Sequence, residues 1–219
     1  MKEAFLRNIF DTDWITIILC VSILSIVFAK RFFYGRFINF IILPFNNKYI
    51  FLYNKKDKLS HWFTIFFSVF QFINLALFIY LINSIFGVSD QKNNPYFYVI
   101  ILVIVILYIV AKVLLLLANA FIFNISSVIS EFIFKKISYL NYSSLIMFGA
   151  NILLTYVVSD SKTVVYASLL LIILINGIGW ITVLKNHQKL ITNNFFYFIL
   201  YLCALEITPL VLIGDYFKD

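Results

Sequence analysis

Charge is scarce in this chain. Asp, Glu, Lys and Arg together make up 12% of the 219 residues, against 63% hydrophobic, and the mean hydropathy is +0.99. A soluble domain of this size could not cover its surface with so little polarity. Helix breakers are scarce too, with three prolines and six glycines. The two cysteines, Cys20 and Cys203, both lie in apolar runs, which excludes a disulfide framework and any paired metal-ligand spacing. No H-E-x-x-H, Gly-rich phosphate loop or G-x-S-x-G is present, so no catalytic residue, metal or cofactor is assigned. The two histidines, His61 and His187, fall at the edges of apolar runs, where amphipathic rings settle. The runs do not alternate in segments of about ten, which argues against a β-barrel.

What the chain does have is long apolar runs, several exceeding the ~20 residues that a helix needs to cross a bilayer. The expected fold is an all-α membrane protein, a single polytopic domain over 1–219. Its six transmembrane helices are expected at about 14–33, 61–86, 96–123, 140–158, 163–184 and 194–214. Ser60 is placed to N-cap the second span. Ser159 to Lys162 is a very short hairpin, so spans four and five should be antiparallel neighbours. Gly149 lies in span four, and Gly177 and Gly179 in span five would permit close helix approach. Between spans three and four, Ile125, Val128, Ile129, Phe132 and Ile133 share one helical face. That spacing suits a surface helix or a continuation of the third span.

The formal net charge of +7 is explained by topology rather than by nucleic-acid binding. Lys and Arg collect in loops that remain cytoplasmic. Lys30, Arg31, Arg36, Lys48, Lys55, Lys56 and Lys58 fall after span one, Lys135 and Lys136 after span three, and Lys185 and Lys189 after span five. Both termini are therefore expected outside the cytoplasm. The N-terminal segment carries Asp11 and Asp13 before its apolar core and basic residues after it. That order is the reverse of a signal peptide and predicts an uncleaved span. The long loop after span one is broken by Pro44 and Asn46-Asn47. Its aromatic stretch Phe37 to Leu43 is too short to span and is expected in the membrane interface. Arg31, Arg36, Lys48, Lys55 and Lys56 would form a surface for lipid headgroups or a protein partner.

Against this apolar background, two charges stand out. Lys112 lies inside the third run and Glu206 inside the sixth. A lone charge at bilayer depth costs at least ~2.5–3.5 kcal/mol on insertion scales, so the two are expected to pair. Counted at 1.5 Å per residue from the basic ends, they lie about 16 and 18 Å deep. Asn74, Asn151 and Asn176 fall between about 12 and 20 Å. These five side chains are expected to share one polar layer. Tyr108 and Asn119 extend it as a stripe along the face of Lys112.

Two stretches carry a resemblance: FINFIILPFNNKYIFLYNKK at Phe37 to Lys56 and FFYFILYLCALEITPLVLI at Phe195 to Ile213. In these, and in length and span spacing, the chain resembles a domain-of-unknown-function family of multi-pass integral membrane proteins from Bacteroidota. The resemblance implies an inner-membrane location in a Gram-negative bacterium and brings no activity or site residues with it. The leading expectation is a non-enzymatic scaffold or accessory subunit of an envelope complex, in contact with membrane lipids and an envelope protein partner. The alternative is a small-solute or proton-coupled transporter using Lys112 and Glu206. A lipid-modifying enzyme has least support.

Overall fold

The structure is a computed structural model and describes residues 13–46, 48–53, 61–87, 94–122 and 126–186; side chains are described for all of these except 119–122, 126–129 and 183–186. Among the described residues all regular secondary structure is helical. The order is α1 (Asp13–Phe32), α2 (Tyr34–Ile41), α3 (Lys48–Tyr53), α4 (Trp62–Phe86), α5 (Pro95–Ile122), α6 (Ser126–Ile152), a π-helical turn (Leu153–Val157) and α7 (Lys162–Asn186). Five of these helical stretches are long and apolar enough to cross a membrane: Asp13–Phe32, Trp62–Phe86, Pro95–Ala118, Ser130–Val157 and Lys162–Thr182. The sixth expected span, 194–214, lies outside the described residues.

Helices α4 and α6 form the centre. α1 and α5 pack on α4, α7 packs on α6, and α5 also touches α6. The outer faces of α1, α5 and α7 remain apolar and exposed, as Ile17, Leu107 and Ile173 show. Hydrocarbon is a suitable solvent for such faces, because every backbone group is satisfied inside its own helix. At one end of the bundle Trp14 meets the rings of Tyr80 and Tyr98 at 5.2 and 5.8 Å. Gly87 closes α4 at that end in the left-handed conformation, φ 68°, which glycine adopts without a Cβ penalty.

The opposite, basic end is closed by α2 and α3. Sequence reasoning lays this stretch flat in the interface, and the structure packs half of it into the bundle. Phe40, Leu43, Tyr49 and Ile50 join Phe63, Phe67, Phe134 and Tyr139 in one buried cluster. Phe40 is central, with ring centroids 4.5 Å from Phe67, 5.4 Å from Tyr49 and 5.7 Å from Phe63. The opposite side of the stretch, at Ile38, Ile41, Phe45 and Phe51, is exposed and apolar. One face thus seals the bundle end while the other is suited to the headgroup boundary. Arg36 lies over the Tyr53 ring at 4.4 Å. The N-cap of α4 is His61 rather than Ser60: its Nδ1 accepts from the Phe63 N–H at 3.1 Å.

The largest departure from expectation lies in α6. The stretch from residue 126 is neither a surface helix nor an extension of the third span; it runs without a break into the fourth. No glycine or proline occurs between Ser126 and Phe148 to stop it. The charges that suggest a loop are accommodated within the helix. Lys135 Nζ lies 2.7 Å from Glu131 Oε1 one turn earlier, and Lys135 is 1% exposed. At its other end, α6 widens into the π-turn, where the Val158 N–H donates to the Leu153 carbonyl at 2.8 Å. The turn presents Tyr156, whose hydroxyl pairs with Thr16 Oγ1 of α1 at 2.6 Å.

Of the two glycines expected to ease helix approach, Gly177 and Gly179, only Gly179 does so. A Cβ there would meet the Tyr139 ring at 2.7 Å, whereas Gly149 and Gly177 have open space.

Candidate functional site

The polar side chains of the bundle are arranged along α6. Asn151 and Asn74 meet at the α4–α6 seam, both 0% exposed. Asn151 Nδ2 donates to the Asn74 carbonyl at 3.0 Å and approaches Asn74 Oδ1 at 3.4 Å. Asn74 Nδ2 donates in turn to the Phe70 carbonyl one turn back at 2.9 Å. Among the described residues this is a buried unit, and only Asn151 Oδ1 in it is left without a hydrogen bond.

Asn176 belongs to a second rung. Its Nδ2 donates to Ser143 Oγ of α6 at 2.9 Å and to the Ile172 carbonyl at 2.8 Å. Ser143 lies eight residues before Asn151, about 12 Å along the helix axis. The three asparagines therefore occupy two levels rather than one.

Lys112 lies in a groove between α5 and α7 that is floored by α4 and α6 and that Asn176 also lines. The groove encloses about 580 Å³. Tyr108 and Lys112 reach it from α5, Gln71 from α4, Lys136 and Tyr139 from α6, and Asn176 and Trp180 from α7. Lys112 Nζ lies 5.8 Å from the Tyr108 ring centroid, within cation–π range. The spacing of four that suggested a polar stripe therefore produces a contact. Lys136 Nζ lies 5.5 Å from the Trp180 ring centroid. Both lysine side chains line the groove.

The charge pattern places Lys136 in a loop, and nothing in the sequence singles out Tyr139 or Trp180, yet all three line the groove. The signal for Lys136 was present in its spacing. Lys136 precedes Ser143 by seven residues, two turns along one helical face, and no breaker separates them. Glu206, Lys55 and Lys56 lie outside the described residues, as does the side chain of Asn119. Arg31 and Lys48 are exposed at the basic end, and Arg36 is half-buried against Tyr53.

Residues 15–217 match the family described as a domain of unknown function, DUF4271. The chain belongs to the DUF4271 family. The match takes in all five long helices, the groove and Glu206. No curated protein and no solved structure matches the chain. Among the described residues of this DUF4271 protein, no group of three or more His, Cys, Asp or Glu side chains is positioned to hold a metal ion. The chemistry on display is therefore that of amide pairs, hydroxyls and two lysines in an apolar bundle.

Proposed function

We propose that this DUF4271 protein is a multi-pass scaffold or accessory subunit of an envelope complex, in the inner membrane of a Gram-negative bacterium of the Bacteroidota. The carrying observation is that the α4–α6 seam is closed. Asn74 and Asn151 bond each other and the backbone, with no exposure. Such amides hold membrane helices in register and form no passage. In this reading six spans leave both termini in the periplasm, and the α2–α3 end faces the cytoplasm and anionic lipid. A reporter active only in the periplasm should work when fused after Asp219; activity of a cytoplasmic reporter there would overturn this orientation. The role itself is tested by native electrophoresis of gently solubilised membranes. The protein should migrate in a stoichiometric assembly, and deleting it should leave the other subunits unassembled. If it purifies as a lone species and its deletion alters no membrane assembly, the scaffold reading fails.

One observation favours a second reading. The groove containing Lys112 is open space lined by ionisable groups, as a small-solute or proton-coupled carrier would need. In that reading Lys112 and Glu206 form the working pair. Proteoliposomes should then show solute or proton flux that Lys112→Met abolishes.

A further inference from the structure

A buried polar atom is costly unless something satisfies it, and each one left over in a folded chain calls for an explanation. Two of them lie on one face of α6 and its π-turn. Asn151 Oδ1 has no hydrogen-bond partner, and Asn151 is 0% exposed. Thr155 Oγ1, four residues on, is likewise buried and without a partner. Side chains four apart lie one above the other on a helix. A helical side chain also leans back over the turn that precedes its own Cα, which brings Thr155 Oγ1 towards Asn151.

The π-turn explains why the hydroxyl is left over. In an α-helix a threonine or serine hydroxyl bonds the carbonyl three or four residues back. The other hydroxyls of this bundle do so. Ser138 Oγ donates to the Phe134 carbonyl at 2.8 Å, Ser143 Oγ to the Tyr139 carbonyl at 3.0 Å, and Thr182 Oγ1 to the Ile178 carbonyl at 2.9 Å. Thr155 lies within Leu153–Val157, where the bonding step lengthens to five residues and the Val158 N–H reaches the Leu153 carbonyl at 2.8 Å. The wider winding interrupts the four-residue ladder on which the hydroxyl would otherwise close. A water inserted into the ladder is one of the established companions of such a break.

The two atoms also define the chemistry of an occupant. An amide oxygen only accepts, whereas a hydroxyl accepts or donates. The occupant must therefore bring a hydrogen or a positive charge to Asn151 Oδ1. A divalent cation gathers six or more oxygens, carboxylates among them, and neither atom here is a carboxylate oxygen. A buried water is held by about two to four hydrogen bonds, and the two orphaned atoms supply two.

We propose that a single buried water is bound at the π-turn of α6, donating to Asn151 Oδ1 and hydrogen-bonded to Thr155 Oγ1. Asn151 then faces two ways: its Nδ2 holds the Asn74 carbonyl across the seam, and its Oδ1 holds the water. The water secures the turn that presents Tyr156 to Thr16 of α1. The site lies outside the scaffold reading and does not rest on it, because an isolated water suits a scaffold and a carrier alike.

Solid-state NMR of the full, isotope-labelled chain in lipid bilayers tests the site. Magnetisation transferred from water should reach the Asn151 side-chain amide but not the backbone amide of Leu77, which is also 0% exposed. Thr155→Val keeps the shape and removes the hydroxyl, and should abolish the transfer. Thr155→Ser keeps the hydroxyl and should retain it. Absence of transfer in the unaltered chain means that the hydroxyl and the amide close on each other directly, and overturns the proposal. Transfer that survives Thr155→Val undiminished overturns it too. If exchanging sodium for choline shifts the Asn151 amide resonance, the occupant is a cation and the proposal is wrong. A thermal scan adds an independent readout. Thr155→Val should lower the midpoint in the unaltered chain and leave it unchanged in Asn151→Leu, where the acceptor is already gone. Equal lowering in both backgrounds overturns the shared site. None of these readouts depends on the protein's assembly state, so their failure is distinct from failure of the scaffold reading.

Discussion

The α4–α6 seam and the α5–α7 groove lie in one bundle and handle polarity in opposite ways. At the seam the polar groups are short, neutral amides. Asn74 donates to the carbonyl four residues back and meets Asn151 of α6 through two further contacts. A helical carbonyl has a spare lone pair, so an amide can be buried dry without help from outside its element. At the groove the polar groups are long and charged, Lys112 and Lys136. They extend to aromatic faces across an opening. In an apolar bundle, neutral polarity can be closed off by backbone carbonyls, whereas a charge packed this deeply, as Lys135 is, takes a counter-charge such as Glu131.

The largest test of this contrast is at the sealed end. Phe40 is 1% exposed among four other rings, while Phe51, eleven residues on in the same stretch, is 78% exposed. Phe40→Ala should cost about 3–5 kcal/mol of unfolding free energy in detergent, the usual range for emptying a core aromatic site. Phe51→Ala should stay within about 0.5 kcal/mol. Reversible denaturation followed by tryptophan fluorescence would compare them. Equal costs would show that α2 and α3 dock differently from the arrangement described here.

The same stretch shows how far the sequence can be read. Hydropathy and length place five long helices within a residue or two at most ends, because a bilayer allows few alternatives. The α2–α3 stretch is legible as aromatic and interfacial. Which rings turn inward depends on Phe63, Phe67 and Phe134, which approach only in the fold. Helix α6 misleads for a related reason. Lys135 and Lys136 look like loop charges until Glu131 neutralises one and the groove receives the other. The candidate site was partly legible. The count of depth finds Lys112 and the three asparagines, but it carries about three residues of uncertainty at each span edge. That is enough to merge rungs that α6 separates by roughly 10–12 Å.

A smaller effect is expected where α6 and α7 touch. Gly179→Ala would drive a Cβ to 2.7 Å from the Tyr139 ring, and Gly177→Ala would meet nothing within 4 Å. Tyr139 is 2% exposed and in the buried cluster, so its ring cannot move away freely. Overpacking of this kind costs about 1–3 kcal/mol, while Gly177→Ala should be neutral or mildly stabilising because alanine favours helix. The measurement is the difference in thermal aggregation midpoint between the two variants. If Gly177→Ala is the more damaging, the α6–α7 contact has another register.

The smallest effect is expected at the seam itself, and it bears most directly on the contrast between amides and charges. Asn151 makes two contacts to Asn74, at 3.0 Å to the carbonyl and 3.4 Å to Oδ1. The first survives any change of the Asn74 side chain, and Asn74 retains its own bond to the Phe70 carbonyl when Asn151 is replaced. Asn151→Leu also removes Oδ1, a buried acceptor with no partner, and that removal offsets part of the loss. Interhelical hydrogen bonds in membranes average ~0.6 kcal/mol and reach ~1.7. A double-mutant cycle of Asn74→Leu and Asn151→Leu should therefore give a coupling near or below the lower figure, since only the 3.4 Å contact joins the two side chains. Breaking one partner of a buried charge pair typically costs about 3–5 kcal/mol. A seam coupling in that range would mean that the amides depend on each other as charges do. The closed seam would then be a polar network in its own right, as dependent on its partners as the Lys135–Glu131 pair.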